Sequence, residues 1–322
     1  MSNIKKYFAG ANTSIGFYNL FHNIRNNSNG FHYIIKGGAG TGKSTLMKTI
    51  ANHFLSKGEN LELFYCSSDP NSLDGINIKN HNITMVDGTA PHIVNDFSPS
   101  LEDKIINLGE YISPSIIKHK NKIYELLEIK KSHFLKCYSY LKIAGELYKL
   151  NKQQNPTDIK STCNNIINDL SLIDKKVKTT PRELFINILN SSNVNLEEEN
   201  NFNISNINLK YIVNSDTLKL ISNELCNLGY NVIEFKNYLA PSEVESLYIE
   251  DINLLIKETL TLKMPSKQIN TFISKATNEL NKASLTHKKI ESYYIKKVNY
   301  DKINELTQNL INEIELRIKN KV

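Results

Sequence analysis

Arginine is almost missing from this 322-residue chain: only Arg25, Arg182 and Arg317 occur. Proteins that grip nucleic acid concentrate basic side chains, often arginine, on one face. Here the lysines alternate with Glu, Asp and Asn. The net charge of +6 and the pI near 8.8 therefore read as solvated helix faces, and nucleic acid is not expected as a partner. Long apolar runs are missing as well. None approaches the ~18 residues of a membrane span, and Met1-Ser2-Asn3-Ile4-Lys5-Lys6 lacks the apolar stretch of a signal peptide. The expectation is a cytoplasmic protein with no membrane partner. Cysteine is scarce: Cys66, Cys137, Cys163 and Cys226 lie far apart with no C-x-x-C pair. Reduced, buried thiols are expected, not disulfides or zinc ligands.

At 40% hydrophobic residues the chain can bury a real core, and its length allows two modest domains or one with a large insertion. The stretch on which the rest is organised is Gly37-Gly38-Ala39-Gly40-Thr41-Gly42-Lys43-Ser44-Thr45. It fits G-x-x-x-x-G-K-[ST], the phosphate-binding loop. Phe31 to Ile35 before it reads as a buried strand, and Leu46, Met47, Ile50 and Phe54 after it recur at helical spacing. Glycines let the backbone curl so that successive N–H groups point inward at phosphate oxygens, and the helix N-terminus adds its unpaired donors. Lys43 is expected to reach the β- and γ-phosphates, and the Ser44 hydroxyl to ligate Mg²⁺.

Leu61 to Tyr65 reads as the next strand, and the polar loop after it carries Asp69 and Asp74. Ligands of open α/β sheets sit at such strand ends, although turns favour the same residue types. Asn82 to Asp87 reads as an apolar strand ending in an aspartate, the form of a Walker B element whose Asp binds Mg²⁺ through water. Many ATPases of the additional-strand type carry a catalytic Glu next, but here Gly88 follows, so position assigns no water-activating base. His92 is a further candidate acid or base, or a hydrogen-bonded loop residue. No N-K-x-D guanine motif follows, which favours ATP over GTP.

Around this unit, residues 7–24 read as a loop and a short helix with Phe17, Leu20, Phe21 and Ile24 on its apolar face. Pro99 to Asp103 carries a capping-box pattern that predicts a helix with Ile105, Ile106 and Leu108. One long helix is expected from Pro114 to about Leu150, then a second from Thr157 to Ile173. From about residue 180 the first half repeats. Gly58–Ile78 lies on Gly229–Ile249 at a constant offset of 171, and Asp87 falls on Glu258. Tyr33-Ile34-Ile35 pairs with Tyr211-Ile212-Val213, and Thr45-Leu46 with Thr217-Leu218. Asn214-Ser215-Asp216 replaces the glycine loop. In the helical segments Glu125-Leu126, His133 and Tyr140 match Glu279-Leu280, His287 and Tyr294 at an offset of 154. Boundaries follow: 1–112 nucleotide binding, 113–178 a helical arm, 179–262 a degenerate copy, 263–322 a second arm.

These residues resemble a family of uncharacterised bacterial P-loop ATP-binding proteins built from two P-loop-like halves. The stretches that carry the resemblance are Phe8-Ala9-Gly10, Lys36 to Met47, Cys66-Ser67-Ser68-Asp69, Ser72-Leu73-Asp74-Gly75, Asp87-Gly88-Thr89-Ala90-Pro91-His92 and Ile105 to Glu110. It covers residues 7–150 well and 180–322 faintly. Ala39 stands where the family usually has proline. The resemblance implies ATP binding and hydrolysis.

The expectation is thus an α/β protein: a P-loop NTPase sheet with helices on both faces, a helical arm, and a degenerate second P-loop-like half. The leading function is Mg²⁺-dependent ATP hydrolysis. Gly37, Gly38, Ala39, Gly40, Thr41, Gly42, Lys43, Ser44 and Thr45 would hold phosphate, Ser44 and Asp87 the metal, and Lys43, Asp87 and Asp69 the reacting groups. A small-molecule kinase and a non-hydrolysing, nucleotide-gated interaction module with an unknown partner are the alternatives.

Overall fold

The computed structural model describes all residues except 1–3, 26–29, 70, 91–100, 153–157, 190–195, 201, 205–209, 260–266 and 321–322. His92, Pro91 and the Pro99-Ser100 cap lie outside the described residues.

The chain is mixed α/β, with a central sheet layer flanked by helices on both outer sides, and that layer is double. The first sheet contains β1 (Ile4–Tyr7), β4 (Phe31–Lys36), β5 (Leu61–Tyr65), β6 (Leu73–Ile78), β7 (Ile83–Asp87) and β8 (Asp103–Asn107), in the order β1-β5-β6-β7-β4-β8. The second contains β9 (Arg182–Leu184), β10 (Asn203–Ile204), β11 (Val232–Asn237), β12 (Ala240–Ile249) and β13 (Leu254–Lys257), in the order β10-β13-β12-β11-β9. A hairpin of β2 (Gly10–Thr13) and β3 (Gly16–Asn19) stands apart. The helices are α1 (Lys43–Ser56), α2 (Lys120–Asn151), α3 (Ile159–Leu170), the single turn α4 (Leu196–Glu199), α5 (Ser215–Asn227), α6 (Lys267–Ile295) and α7 (Tyr300–Lys319).

Side-chain alternation along the strands sets the layers. Tyr33, Ile35, Ile83 and Met85 turn outward to Met47, Ile50 and Phe54 of α1 and to Leu310 and Ile314 of α7. Ile34, Phe64 and Val86 turn inward, where they share a core with Ile233, Phe235, Tyr248 and Leu255 of the second sheet. The outer face of that sheet, Val232, Leu247 and Ile249, packs on α5 and on Ile166 of α3. Each such side chain contributes roughly 1.5–3 kcal/mol on burial.

Two segments differ from the sequence reading. Asp103–Asn107 is a strand, not a helix. It pairs in parallel with β4, Ile34 opposite Ile105 and Ile35 opposite Ile106. The β-branched pair completes the edge of a sheet, and that tertiary pairing overrides the local capping signal. Residues 10–19 form the β2–β3 hairpin, turned at Gly16 with φ +106°, and only Phe21–Ile24 coils, as one 3-10 turn.

The 171-residue offset is visible in the geometry. Leu61 faces Ile78 as Val232 faces Ile249, and Asn82 and Asn253 are both left-handed, at φ 52° and 50°. The Leu73 N–H donates to Ser44 Oγ at 2.9 Å, and the Val244 N–H to Ser215 Oγ at 2.9 Å. The offset therefore runs on into the helices, and Thr45-Leu46 corresponds to Asp216-Thr217, one residue away from the sequence alignment. The inner edges meet head to head. Phe8 N–H donates to the Phe185 carbonyl at 3.0 Å and Phe185 N–H to the Phe8 carbonyl at 2.9 Å.

The returning helices are exchanged. α3 follows the first half but packs on α5 of the second, and α7 follows the second but packs on α1 of the first. α2 and α6 run antiparallel against each other, with Cys137, Leu141 and Ala144 meeting Ala276 and Leu280. The 113–178 segment thus divides: α2 joins α6, while α3 joins the second sheet.

Candidate phosphate site

β4 delivers the glycine loop and β7 delivers Asp87, and the strands are direct parallel neighbours with Ile35 opposite Asp87. No strand intervenes, so the additional-strand layout is absent here. Gly40 and Gly42 sit at φ +69° and +89°, the left-handed region that side chains disfavour. Thr41 Oγ donates to the Gly38 carbonyl at 2.8 Å and pins the loop from inside. Thr89, two residues beyond Asp87, ties the loop to β7: its hydroxyl donates to the Gly37 carbonyl at 3.0 Å.

Lys43 Nζ donates to the Gly37 and Gly38 carbonyls at 2.7 and 3.0 Å and lies 3.5 Å from Asp87 Oδ2. Asp87 Oδ1 accepts the Thr89 N–H at 2.8 Å. Ser44 Oγ, holding the Leu73 N–H, keeps its own proton and a lone pair for another partner. Lys43 thus meets both the loop carbonyls and Asp87, and Ser44 follows it on α1. Ala39 turns away into an apolar contact described below, and Thr45 is exposed.

The two helix starts differ in a way that bears on ligands. α1 begins at Gly42 with no side-chain cap and no acidic residue in its first turn, so its leading N–H groups face the loop concavity. α5 is capped by its own Asn214, whose Oδ1 accepts the Thr217 N–H at 2.8 Å, and it carries Asp216 in its first turn. Where Asp87 stands in the first half, the second has Glu258, already engaged by Lys152 Nζ at 2.8 Å and by the Ser215 N–H at 3.1 Å. The donor set fits an anion at α1 and not at α5.

The absence of a glutamate after Asp87 has a steric cause. A Cβ at position 88 would lie 2.5 Å from buried Ile34 Cγ2. Asp69 is not poised over the loop by its own bonds: its carboxylate accepts the Asn71 N–H at 3.2 Å and the Ser72 hydroxyl at 2.6 Å, a turn-closing role. Asp74 is buried beside Cys66; burial, then that carboxylate, push the Cys66 thiol well up. All four cysteines are free.

Sequence reasoning missed what covers the loop. The α6–α7 corner lies on it: the Tyr300 hydroxyl donates to the Gly40 carbonyl at 3.0 Å, and Gly40 Cα abuts the Glu291 backbone, so a Cβ there would sit 3.2 Å from the Glu291 carbonyl oxygen. Tyr294 stands over Gly38. The corner is held by the Ser113 N–H on the Lys297 carbonyl at 2.7 Å and the Asn299 N–H on the Tyr111 carbonyl at 2.9 Å. Only the repeated His133/His287 and Tyr140/Tyr294 spacing hinted that these helices mattered.

A family model described as Nephrocystin 3, N-terminal, matches residues 18–104, the stretch that contains the glycine loop. This is under half of the chain and assigns no family. No curated protein and no solved structure matches the chain. Among the described residues no helix is long and apolar enough to cross a membrane, and no three His, Cys, Asp or Glu side chains gather as a metal site.

Proposed function

We propose that this chain binds ATP with Mg²⁺ at the loop Gly37–Ser44 and hydrolyses it, as the resemblance to P-loop ATP-binding proteins implies. One observation carries the reading: an uncapped helix start, entered through a left-handed glycine loop, sets Lys43 beside Asp87 of the adjacent strand, with Ser44 next along the helix. Inward N–H groups and the helix N-terminus favour a phosphate chain. Lys43, at present on its own loop carbonyls, exchanges them for phosphate oxygens. Ser44 would supply one oxygen ligand to Mg²⁺, and Asp87 would hold the metal through water. The metal would neutralise charge on the phosphates and align them. Asp69, fixed in its turn, is the weaker member of the reacting set.

The test is calorimetric titration with a non-hydrolysable ATP analogue and Mg²⁺. Lys43→Ala removes charge-assisted hydrogen bonds worth roughly 1.5–3 kcal/mol each and abolishes tight binding. Unchanged affinity refutes the assignment. A second reading, the nucleotide-gated interaction module, is favoured by the arm corner that rests on the loop through Tyr300 and Glu291. Tight binding with negligible turnover selects it. The small-molecule kinase, with Asp69, Asp74 or His92 on an acceptor hydroxyl, is selected if ATP is consumed only when an acceptor is added.

A further inference from the structure

Besides the contacts at Gly38 and Gly40, the α2–α6 pair meets the loop at Ala39, which packs on the cluster of Ile123 and Leu126 of α2 and Ile290 of α6. Charged residues stand one turn further along. Lys130 is four residues from Leu126, on the same face and about 5.4 Å along the helix. His287 and Glu291 hold the matching places on α6. Lys130 Nζ lies 3.0 Å from His287 Nδ1, and His287 Nε2 lies 3.5 Å from Glu291 Oε1. The result is a short chain, Lys130–His287–Glu291, whose last member has its backbone against Gly40.

Lys130 is half-buried, and its ammonium meets the His287 ring, with no carboxylate at ion-pair distance among the described residues. Burial lowers its pKa and the Lys43 ammonium also lowers it, while the Cys66 thiol and the Glu291 carboxylate work the other way. A bound phosphate would add a second anion beside Glu291 and favour the charged form of Lys130.

Resting on the ATP reading above, we infer that Lys130, carried by the helical arm, contacts the terminal phosphate of a bound nucleoside triphosphate, with His287 and Glu291 positioning it. The loop and Lys43 hold the inner phosphates. The arm residue then distinguishes triphosphate from diphosphate and gives the arm a means to sense hydrolysis.

The experiment compares affinities of the full chain for ADP and for an imido-bridged ATP analogue, each with Mg²⁺, in the parent, Lys130→Met, Lys130→Arg and Lys43→Ala. A lost charge-assisted bond corresponds to about tenfold or more in affinity. Lys130→Met is expected to erase about tenfold of the parent's preference for the analogue over ADP, while ADP affinity stays within about twofold. Lys130→Arg retains most of the preference. Lys43→Ala weakens both nucleotides together. A Lys130→Met chain with the parent's preference, or a parent with no preference, overturns the role of Lys130 and leaves the loop assignment standing. A parent that binds neither nucleotide overturns both. Circular dichroism and the ADP affinity separate misfolding from loss of the contact.

Discussion

Arg182→Met tests how the two sheets are joined. Glu62 of β5 is 1% exposed, and Arg182 of β9 reaches it bidentately, Nη1 to Oε1 at 3.0 Å and Nη2 to Oε2 at 3.1 Å. Asn77 donates to Oε2 at 2.9 Å, and Lys79 stands at 3.7 Å. Burial alone would raise the Glu62 carboxyl, but Arg182, Lys79 and Asn77 overcome it and hold the pKa at about 2, against an ordinary 4.5. A depressed folded-state pKa stabilises above the unfolded value. That contribution is complete above about pH 4.5 and is lost as pH falls towards 2, because the unfolded chain takes up the proton first. At 1.36 kcal/mol per pKa unit it amounts to about 3 kcal/mol. Breaking one partner of a buried pair costs about 3–5 kcal/mol, since the other charge stays desolvated. Arg182→Met should therefore lose about 3–5 kcal/mol at pH 7 in urea unfolding. The variant should also lose the acid dependence between pH 4.5 and 2, because an unpaired, buried Glu62 protonates at a raised pKa. Glu62→Met with Arg182→Met should recover to within about 2 kcal/mol of the parent. A single variant within about 1 kcal/mol of the parent, keeping the acid slope, refutes the argument.

Three further outcomes are expected. Asp87→Asn should spare nucleotide binding yet reduce Mg²⁺-dependent turnover by at least about tenfold, read as phosphate release; full-rate hydrolysis removes Asp87 from the site. Titration should give one nucleotide per chain, because Asn214 and Lys152 already occupy the second half's equivalents of the ligand positions; a second site that survives Lys43→Ala contradicts this. Leu310→Ala, in α7, should lower stability by about 2–5 kcal/mol, because Leu310 is fully buried against the first sheet. A change under about 0.5 kcal/mol would show that α7 is not part of that core.

The sequence by itself determined the local units. Buried strand, glycine loop and helix were legible over 31–56 because each rests on neighbours in the chain: alternation, the left-handed demand at Gly40 and Gly42, and the period of Leu46, Met47, Ile50 and Phe54. The Asp87 strand was legible for the same reason. The 171-residue offset was legible where no insertion interrupts it, and it slipped by one at Thr45 because the eight residues between Ile35 and Ser44 shrink to Asn214 alone between Val213 and Ser215. Tertiary structure decided the rest. Asp103–Asn107 became a strand because β4 offered an open edge. α3 and α7 exchanged sheets because an amphipathic stripe records that a helix is buried, not which sheet buries it. Lys130 and His287, 157 positions apart, came together only through the α2–α6 pairing, and only the packing of α6 on the loop brought Glu291 to Gly40. Local patterns follow from the backbone's own geometry, whereas the partners of an exposed-looking charge follow from where whole helices pack.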